Sequence, residues 1–336
     1  MSLVDGPQAI PGFVDLQVNG YAGHDFSALS LTPEGIAEVC LGMRRAGTAG
    51  FLATLVTSSE EVYRRNLPML AQAMRTDPRC RNLLGIHLEG PFISSEPGFV
   101  GTHAPEWVVV PDACYLERLW AWSEEKLRLI TLAAEPEGAE ALVRQAKALG
   151  MAVSIGHSAY DDEALRRLIA AGAEAITHFA NGLPNLLPRH PNQLWSGLAT
   201  EDLAVTIIAD GHHLPDAVIR VVFAVKGVDR VIVVSDVSPI GGLEPGEYSF
   251  AGSRVVLEPS GAIRNVARDC LAGSAMTLMP AMNRLAAMGL LTPAELLRTG
   301  YWNPLRLIGL GPDSLPGGME VAYFPEAGRF ALHLDE

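Results

Sequence analysis

Met151-Ala152-Val153-Ser154-Ile155 and Glu174-Ala175-Ile176-Thr177 are short apolar runs, and an amphipathic stretch over 161–171 separates them. Strand, helix, strand in that order describes a βα unit, whose strands pair in parallel. The same alternation extends in both directions. Upstream, strands are expected at 13–18, 50–56, 83–88 and 127–132, and downstream at 204–208 and 230–234. Helical patterns begin at about Pro33, with Thr32 as N-cap and Pro33 at the first helical position, and recur at 137–149 and 215–226. Eight strands mostly separated by helices predict a (β/α)8 TIM-like barrel. The alternative is an open doubly wound sheet, but no G-x-G-x-x-G follows a strand to mark its cofactor crevice.

Past Asp236 the pattern changes. Residues 247–265 read as hairpin material, helical patterns return at 275–288, 293–299 and 302–309, and 319–335 alternates apolar and polar residues. The expected organisation is a barrel over 11–245 and 266–312, with a small β appendage drawn from 1–10, 246–265 and 313–336.

Composition narrows the function. Of 336 residues, 49% are apolar, enough for a large core, and 25 basic against 38 acidic side chains give a net charge of −13. That balance argues against nucleic acid as a partner, which needs clustered Lys and Arg. No run of 18 apolar residues predicts a membrane span. The start, Met1-Ser2-Leu3-Val4-Asp5-Gly6, has no basic or apolar region typical of a signal peptide. Four scattered cysteines form no C-x-x-C pair, so the expected compartment is the cytoplasm.

In a barrel of this kind the active site lies at the carboxyl ends of the strands. The residues there are Gln17 and Asn19, Glu89, Glu135, His157, His178, Asp210 with His213, and Asp236. Glu89 upstream of histidines on two successive strands makes a 2-His-1-carboxylate set, which suits Zn²⁺ or Fe²⁺ and leaves a position for water. Asp236, ending the eighth strand, is placed to accept a proton from that water. A hydrolase follows. A silent binding protein that keeps the fold is the contrasting reading, and metal content would separate the two. None of the three lysines, Lys126, Lys147 and Lys226, is near a predicted strand end, and the first strand carries Gln17-Val18-Asn19 in place of an H-x-H pair. Both facts favour a single metal ion.

From Pro11 to about Gly309 the motifs run in the order of one family: the stretch from Pro11 to Gly20 (PGFVDLQVNG), His87-Leu88-Glu89-Gly90-Pro91-Phe92, Gly101-Thr102-His103, Gly156-His157-Ser158, Thr177-His178-Phe179-Ala180-Asn181, Ala209-Asp210-Gly211-His212-His213, Val234-Ser235-Asp236 and Leu271-Ala272-Gly273-Ser274. Taken together they resemble the N-acetylglucosamine-6-phosphate deacetylases of the amidohydrolase superfamily. The resemblance implies removal of the acetyl group from N-acetylglucosamine 6-phosphate, giving glucosamine 6-phosphate and acetate. A related deacetylase acting on a non-phosphorylated N-acetyl amino sugar or amide is the alternative. It implies Glu89, His157 and His178 as ligands of one divalent metal (Zn or Fe, with Co or Mn also accepted), and Asp236 as catalytic acid and base. His103 matches the histidine that polarises the acetamido carbonyl, Asn181 and His213 match substrate-binding positions, and Gln17 and Asn19 match a vacant second metal site. The phosphate-contacting arginine comes from a neighbouring subunit in the family, which makes Arg189 its counterpart and the protein a homodimer. Three stretches depart from the pattern, one of them the C-terminal Gly318-Met319-Glu320-Val321-Ala322-Tyr323, where a Gly-x-x-Ala-Asp-Leu type strand is expected. Only ten residues precede Pro11, so the family's β-sandwich is expected in reduced form, and Leu187-Pro188-Arg189-His190-Pro191-Asn192 replaces the usual Gly-Arg-Glu loop.

Overall fold

A computed structural model describes residues 9–333; Met1-Ser2-Leu3-Val4-Asp5-Gly6, read above for a leader, and most of the expected 1–10 segment lie outside them. Eight parallel strands form one sheet in sequential order: β1 (Phe13–Val18), β2 (Thr48–Val56), β3 (Leu83–Glu89), β4 (Leu127–Leu132), β5 (Ala152–Ile155), β6 (Ala175–Ile176), β7 (Ala204–Ile208) and β8 (Val231–Val234). The sheet curls until its edges meet. Val18 bridges Val237 in parallel, and Asn19 N–H donates to the Val237 carbonyl at 2.8 Å. A helix follows each strand: α1 (Pro33–Arg45), α2 (Glu60–Thr76), α3 (Ala113–Trp122), α4 (Ala139–Ala148), α5 (Asp162–Ala171), α6 (Gln193–Ala199), α7 (Asp216–Lys226) and α8 (Leu278–Ala287).

Local chemistry sets these elements. The Thr32 hydroxyl accepts from Gly35 N–H with Pro33 at the first helical turn, and Asp161 caps α5 by accepting from Ala164 N–H. The strands are buried almost throughout, as parallel strands covered by helices must be. The helical patterns expected at 293–299 and 302–309 form one continuous stretch, joined by a π turn over Arg298–Trp302.

The late strands do not make a single appendage. β9 (Gly246–Phe250), β10 (Ser253–Leu257), β11 (Ile263–Asn265) and β12 (Cys270–Leu271) form an antiparallel sheet at the barrel mouth. Its Phe250, Val255, Leu257 and Ile263 pack with Val56, at the carboxyl end of β2, and with Ile240. β13 (Glu320–Phe324) pairs instead with the short strand Ala9–Ile10 on one side and with β14 (Arg329–His333) on the other. Phe330 of that sheet meets Phe13, at the amino end of β1, with ring centroids 5.1 Å apart. One small sheet therefore roofs the mouth, and the other closes the base. Alternation alone shows that a strand exists and not which apolar surface it covers.

Candidate active site

Three residues turn out of the strands at the same point. Glu89 ends β3, while His157 and His178 follow β5 and β6 by two residues each. His157, His178 and Asp236 have φ of +49°, +30° and +50°. This left-handed conformation costs a non-glycine residue roughly 1–2 kcal/mol, and buried surroundings hold it. His178 N–H, for example, donates to the Thr206 hydroxyl at 2.6 Å. The turns aim all three side chains into the barrel mouth.

The ligand atoms of Glu89, His157 and His178 lie within 4.8 Å of one another. Glu89 Oε1 is 2.8 Å from His178 Nε2 and 3.3 Å from His157 Nε2, and the two nitrogens are 3.1 Å apart. Donors ~2.1 Å from a tetrahedral ion stand ~3.4 Å apart, close to these spacings. The donor chemistry points the same way. His157 Nδ1 lies 2.7 Å from the Phe99 carbonyl oxygen, which can only accept. Nδ1 therefore carries the ring hydrogen, and Nε2 offers a bare lone pair to the cluster. A lone pair and a carboxylate converging in a buried site call for a cation between them, so the donor set fits a divalent metal. The hydrogen-bond partner of His157 Nδ1 is the backbone carbonyl usual beside a metal-ligating imidazole. Burial pushes the Glu89 carboxyl up, but its close contacts with the His157 and His178 rings hold it well below the usual range.

Asp236 lies beside this cluster. Gln17 Nε2 donates to Asp236 Oδ1 at 2.9 Å and to Glu89 Oε1 at 3.0 Å, and Asn19 Nδ2 donates to the same Asp236 oxygen at 2.8 Å. Residues expected to mark a vacant second metal site thus present hydrogens to the two carboxylates and fix Asp236 in place. Burial, followed by the charge of Glu89, raises the Asp236 carboxyl to about 8. A carboxyl raised this far exchanges its proton nearer to neutral pH than an ordinary aspartate does.

His103 comes from the irregular loop at 90–104. Its Nδ1 accepts from Thr57 N–H at 3.2 Å, which leaves Nε2 as the donor, 3.8 Å from Glu89 Oε2. Burial, reinforced by neighbouring His157, lowers the ring to about 3, so it is a neutral donor in use. Across the mouth, Asp210 Oδ1 accepts from the backbone N–H of His212 and His213, and its Oδ2 is 2.8 Å from His213 Nδ1. Burial works against the ionised Asp210, yet the His213 contact holds its carboxyl below the ordinary range. Asn181 is tied to the turn by a 3.1 Å bond to the His178 carbonyl.

Asn19, His103, Asn181, His213 and Asp236 line one cavity of about 270 Å³ with the three ligands. Gln17 is buried beneath it. Glu135 is not part of the cluster and accepts from the Ser158 hydroxyl at 2.5 Å. Arg189 does not line the cavity of its own chain; it is exposed on the loop before α6, where its carbonyl accepts from Trp195 Nε1. Sequence reasoning missed Thr57 and the Phe99 carbonyl, which act through backbone atoms that no residue type advertises. It also missed Asn185, which lines the cavity and donates to Asp269.

No family model matches the chain. Known proteins do. The N-acetylgalactosamine-6-phosphate deacetylase of Escherichia coli O157:H7 is 29% identical over 316 residues, covering 94% of this chain and 81% of the relative. The N-acetylglucosamine-6-phosphate deacetylase of Bos taurus is 31% identical over 313 residues, 89% of this chain and 74% of the relative. Among solved structures, a substituted N-acetyl-D-glucosamine-6-phosphate deacetylase from Mycobacterium smegmatis, in complex with N-acetyl-D-glucosamine-6-phosphate, superposes with a TM-score of 0.86 at 26% identity. That match covers 98% of this chain and 86% of the other.

Proposed function

Because the chain belongs to the N-acetylglucosamine-6-phosphate deacetylase family of the amidohydrolase superfamily, we infer that it is a metal-dependent hydrolase that removes the acetyl group from N-acetylglucosamine 6-phosphate. The observation that carries the reading is the meeting of three metal-ligand side chains with Asp236 and the neutral His103 in one cavity.

Glu89, His157 and His178 would hold one divalent ion, Zn²⁺ or Fe²⁺ before Co²⁺ or Mn²⁺. When bound, such an ion polarises an amide carbonyl and lowers the pKa of water at the site. Asp236, held by Gln17 and Asn19, takes the proton from the attacking water. His103 Nε2–H donates to the carbonyl oxygen as negative charge develops there, a stabilisation that costs no reorganisation because Thr57 fixes the ring beforehand. Asp236 then returns the proton to the sugar nitrogen, since the amine leaves only once protonated. Asn181 and His213 orient the sugar, with His213 held by Asp210.

The cavity lining contains no lysine or arginine among the described residues. A phosphate therefore needs a cation from elsewhere, and an isologous homodimer would supply the partner subunit's Arg189. The exposed Leu186 and Trp195 flank Arg189 on that surface and give such a contact apolar area. We place the enzyme in the cytoplasm, where its four unpaired cysteines stay reduced.

Relatives named for N-acetylgalactosamine 6-phosphate favour a second reading, the 4-epimer as substrate. Acetate release by metal-reconstituted protein, compared among both sugar phosphates and unphosphorylated N-acetylglucosamine, tests all of this. Preference for N-acetylglucosamine 6-phosphate supports the inference, and preference for the epimer moves the substrate by one stereocentre. Equal turnover with and without phosphate contradicts the phosphate reading.

A further inference from the structure

The roof sheet does more than cover the mouth. The turn between β11 and β12, residues 266–269, lies against the loop that carries His103, and three successive residues of that loop take a hydrogen bond from this hairpin. Arg268 Nη1 donates to the Gly101 carbonyl at 2.9 Å and also to the His103 carbonyl. Asn265 Nδ2 donates to the Thr102 hydroxyl at 3.2 Å. The turn keeps its own shape because Arg268 N–H donates back to Asn265 Oδ1 at 3.2 Å.

The loop needs this support. It has no strand or helix pairing, and its internal bonds are few, such as Val100 N–H to the Glu96 carbonyl at 3.0 Å and His103 N–H to the Val100 carbonyl at 3.2 Å. The His103 ring is fixed at Nδ1 by Thr57 N–H. The ring tether and the His103 N–H bond to Val100 leave the carbonyl side of the loop unheld, and a guanidinium shared between two carbonyls two residues apart holds it. Arg268 itself does not line the cavity.

We propose that Arg268 is a positioning residue for deacetylation, acting through the His103 backbone to aim the His103 Nε2–H at the substrate carbonyl. The proposal rests on the deacetylase reading above. It makes the roof sheet part of the catalytic apparatus, because that sheet supplies the clamp for a group the barrel strands do not carry.

The test is a double-mutant cycle on acetate release at saturating metal, with wild type, Arg268→Ala, His103→Ala and the double variant. Arg264→Ala serves as control, since Arg264 is exposed on the same sheet and among the described residues its side chain pairs with Glu258 alone. Arg268→Ala is expected to lower kcat roughly 10- to 100-fold, the usual cost of losing an outer-shell partner, with metal content unchanged. Arg268→Lys, which can reach one carbonyl, should recover part of the loss. In the His103→Ala background the same change should cost less than about threefold, since coupled residues are not additive. An equal loss in both backgrounds, or no loss in either, overturns the proposal. A second readout does not depend on turnover. Amide hydrogen exchange across 94–104 should speed up roughly tenfold or more in Arg268→Ala and not in Arg264→Ala, and unchanged exchange refutes the clamp even if the substrate is another one. Absent acetate release by wild type would count against the deacetylase reading alone.

Discussion

Gly182→Ala isolates how His157, one of the three candidate metal ligands, is held. A β-carbon at Gly182 would lie 2.9 Å from Nδ1, 3.0 Å from Cε1 and 3.3 Å from Cγ of the His157 ring, and the residue has φ of +62°. Two costs follow. The backbone cost is roughly 1–2 kcal/mol for a side chain in the left-handed region. The contact cost arises because carbon atoms rest about 3.5–4.0 Å apart, so the ring must move by more than half an ångström or the loop must. The ring has little room, since Nδ1 is bonded to the Phe99 carbonyl and a β-carbon at Gly101 would meet Cε1 at 3.1 Å. Gly150→Ala separates the two costs, because Gly150 has φ of +83° and, among the described residues, nothing within 4 Å of its β-carbon position. Gly182→Ala should lose more stability than Gly150→Ala in thermal melts of the metal-free protein, the excess being the contact cost. Only Gly182→Ala should weaken metal binding, by roughly 10- to 100-fold in competition with a chromogenic chelator. Metal affinity equal to that of Gly150→Ala would show that the ring is not confined as described.

Two further outcomes follow from charged groups, one buried and one exposed. The Asp15 carboxyl is fully buried and raised from 3.8 to about 6, chiefly by burial and despite hydrogen bonds from Ser235 and Gln17. A raised folded-state value means that the folded protein binds the extra proton. The stabilisation is complete below about pH 4 and is lost as pH rises through about 6, a change of about 3 kcal/mol for the two-unit shift. Denaturant melts of Asp15→Asn should lack that component, so wild type minus variant should fall by about this amount between pH 4 and pH 7; a flat difference contradicts it. Arg189→Ala should raise KM for the 6-phosphate by roughly 10- to 100-fold, the worth of a hydrogen bond to a charged group, and leave kcat nearly unchanged. An unaltered KM would remove Arg189 from phosphate recognition.

The barrel was legible because its strands announce themselves locally as apolar runs, and several of its helices by their amphipathic patterns, the first with Thr32 as its cap. Glu89, His157 and His178 were legible for a related reason: once the strands are placed, the fold brings their carboxyl ends together. What escaped was set by contacts with no local signature. Gln17 and Asn19 meet Asp236 across 219 and 217 residues of chain, and their choice of partner depends on where the sheet closes. Arg268 reaches His103 over 165 residues, from a turn that reads as ordinary loop. The late strands were visible as strands, but their division between mouth and base was not, because that depends on tertiary packing against Val56 at one end and Phe13 at the other.

Asp236 is assigned the proton transfer beside a metal that three other residues would hold. Asp236→Asn keeps the side chain's shape and leaves Glu89, His157 and His178 intact, so elemental analysis and acetate release on the same preparation address the claim together. The account predicts one divalent ion per chain, as in wild type, with kcat lowered by roughly 10²–10⁴-fold, the range for loss of a general acid–base group. Metal retained with near-normal kcat would contradict it.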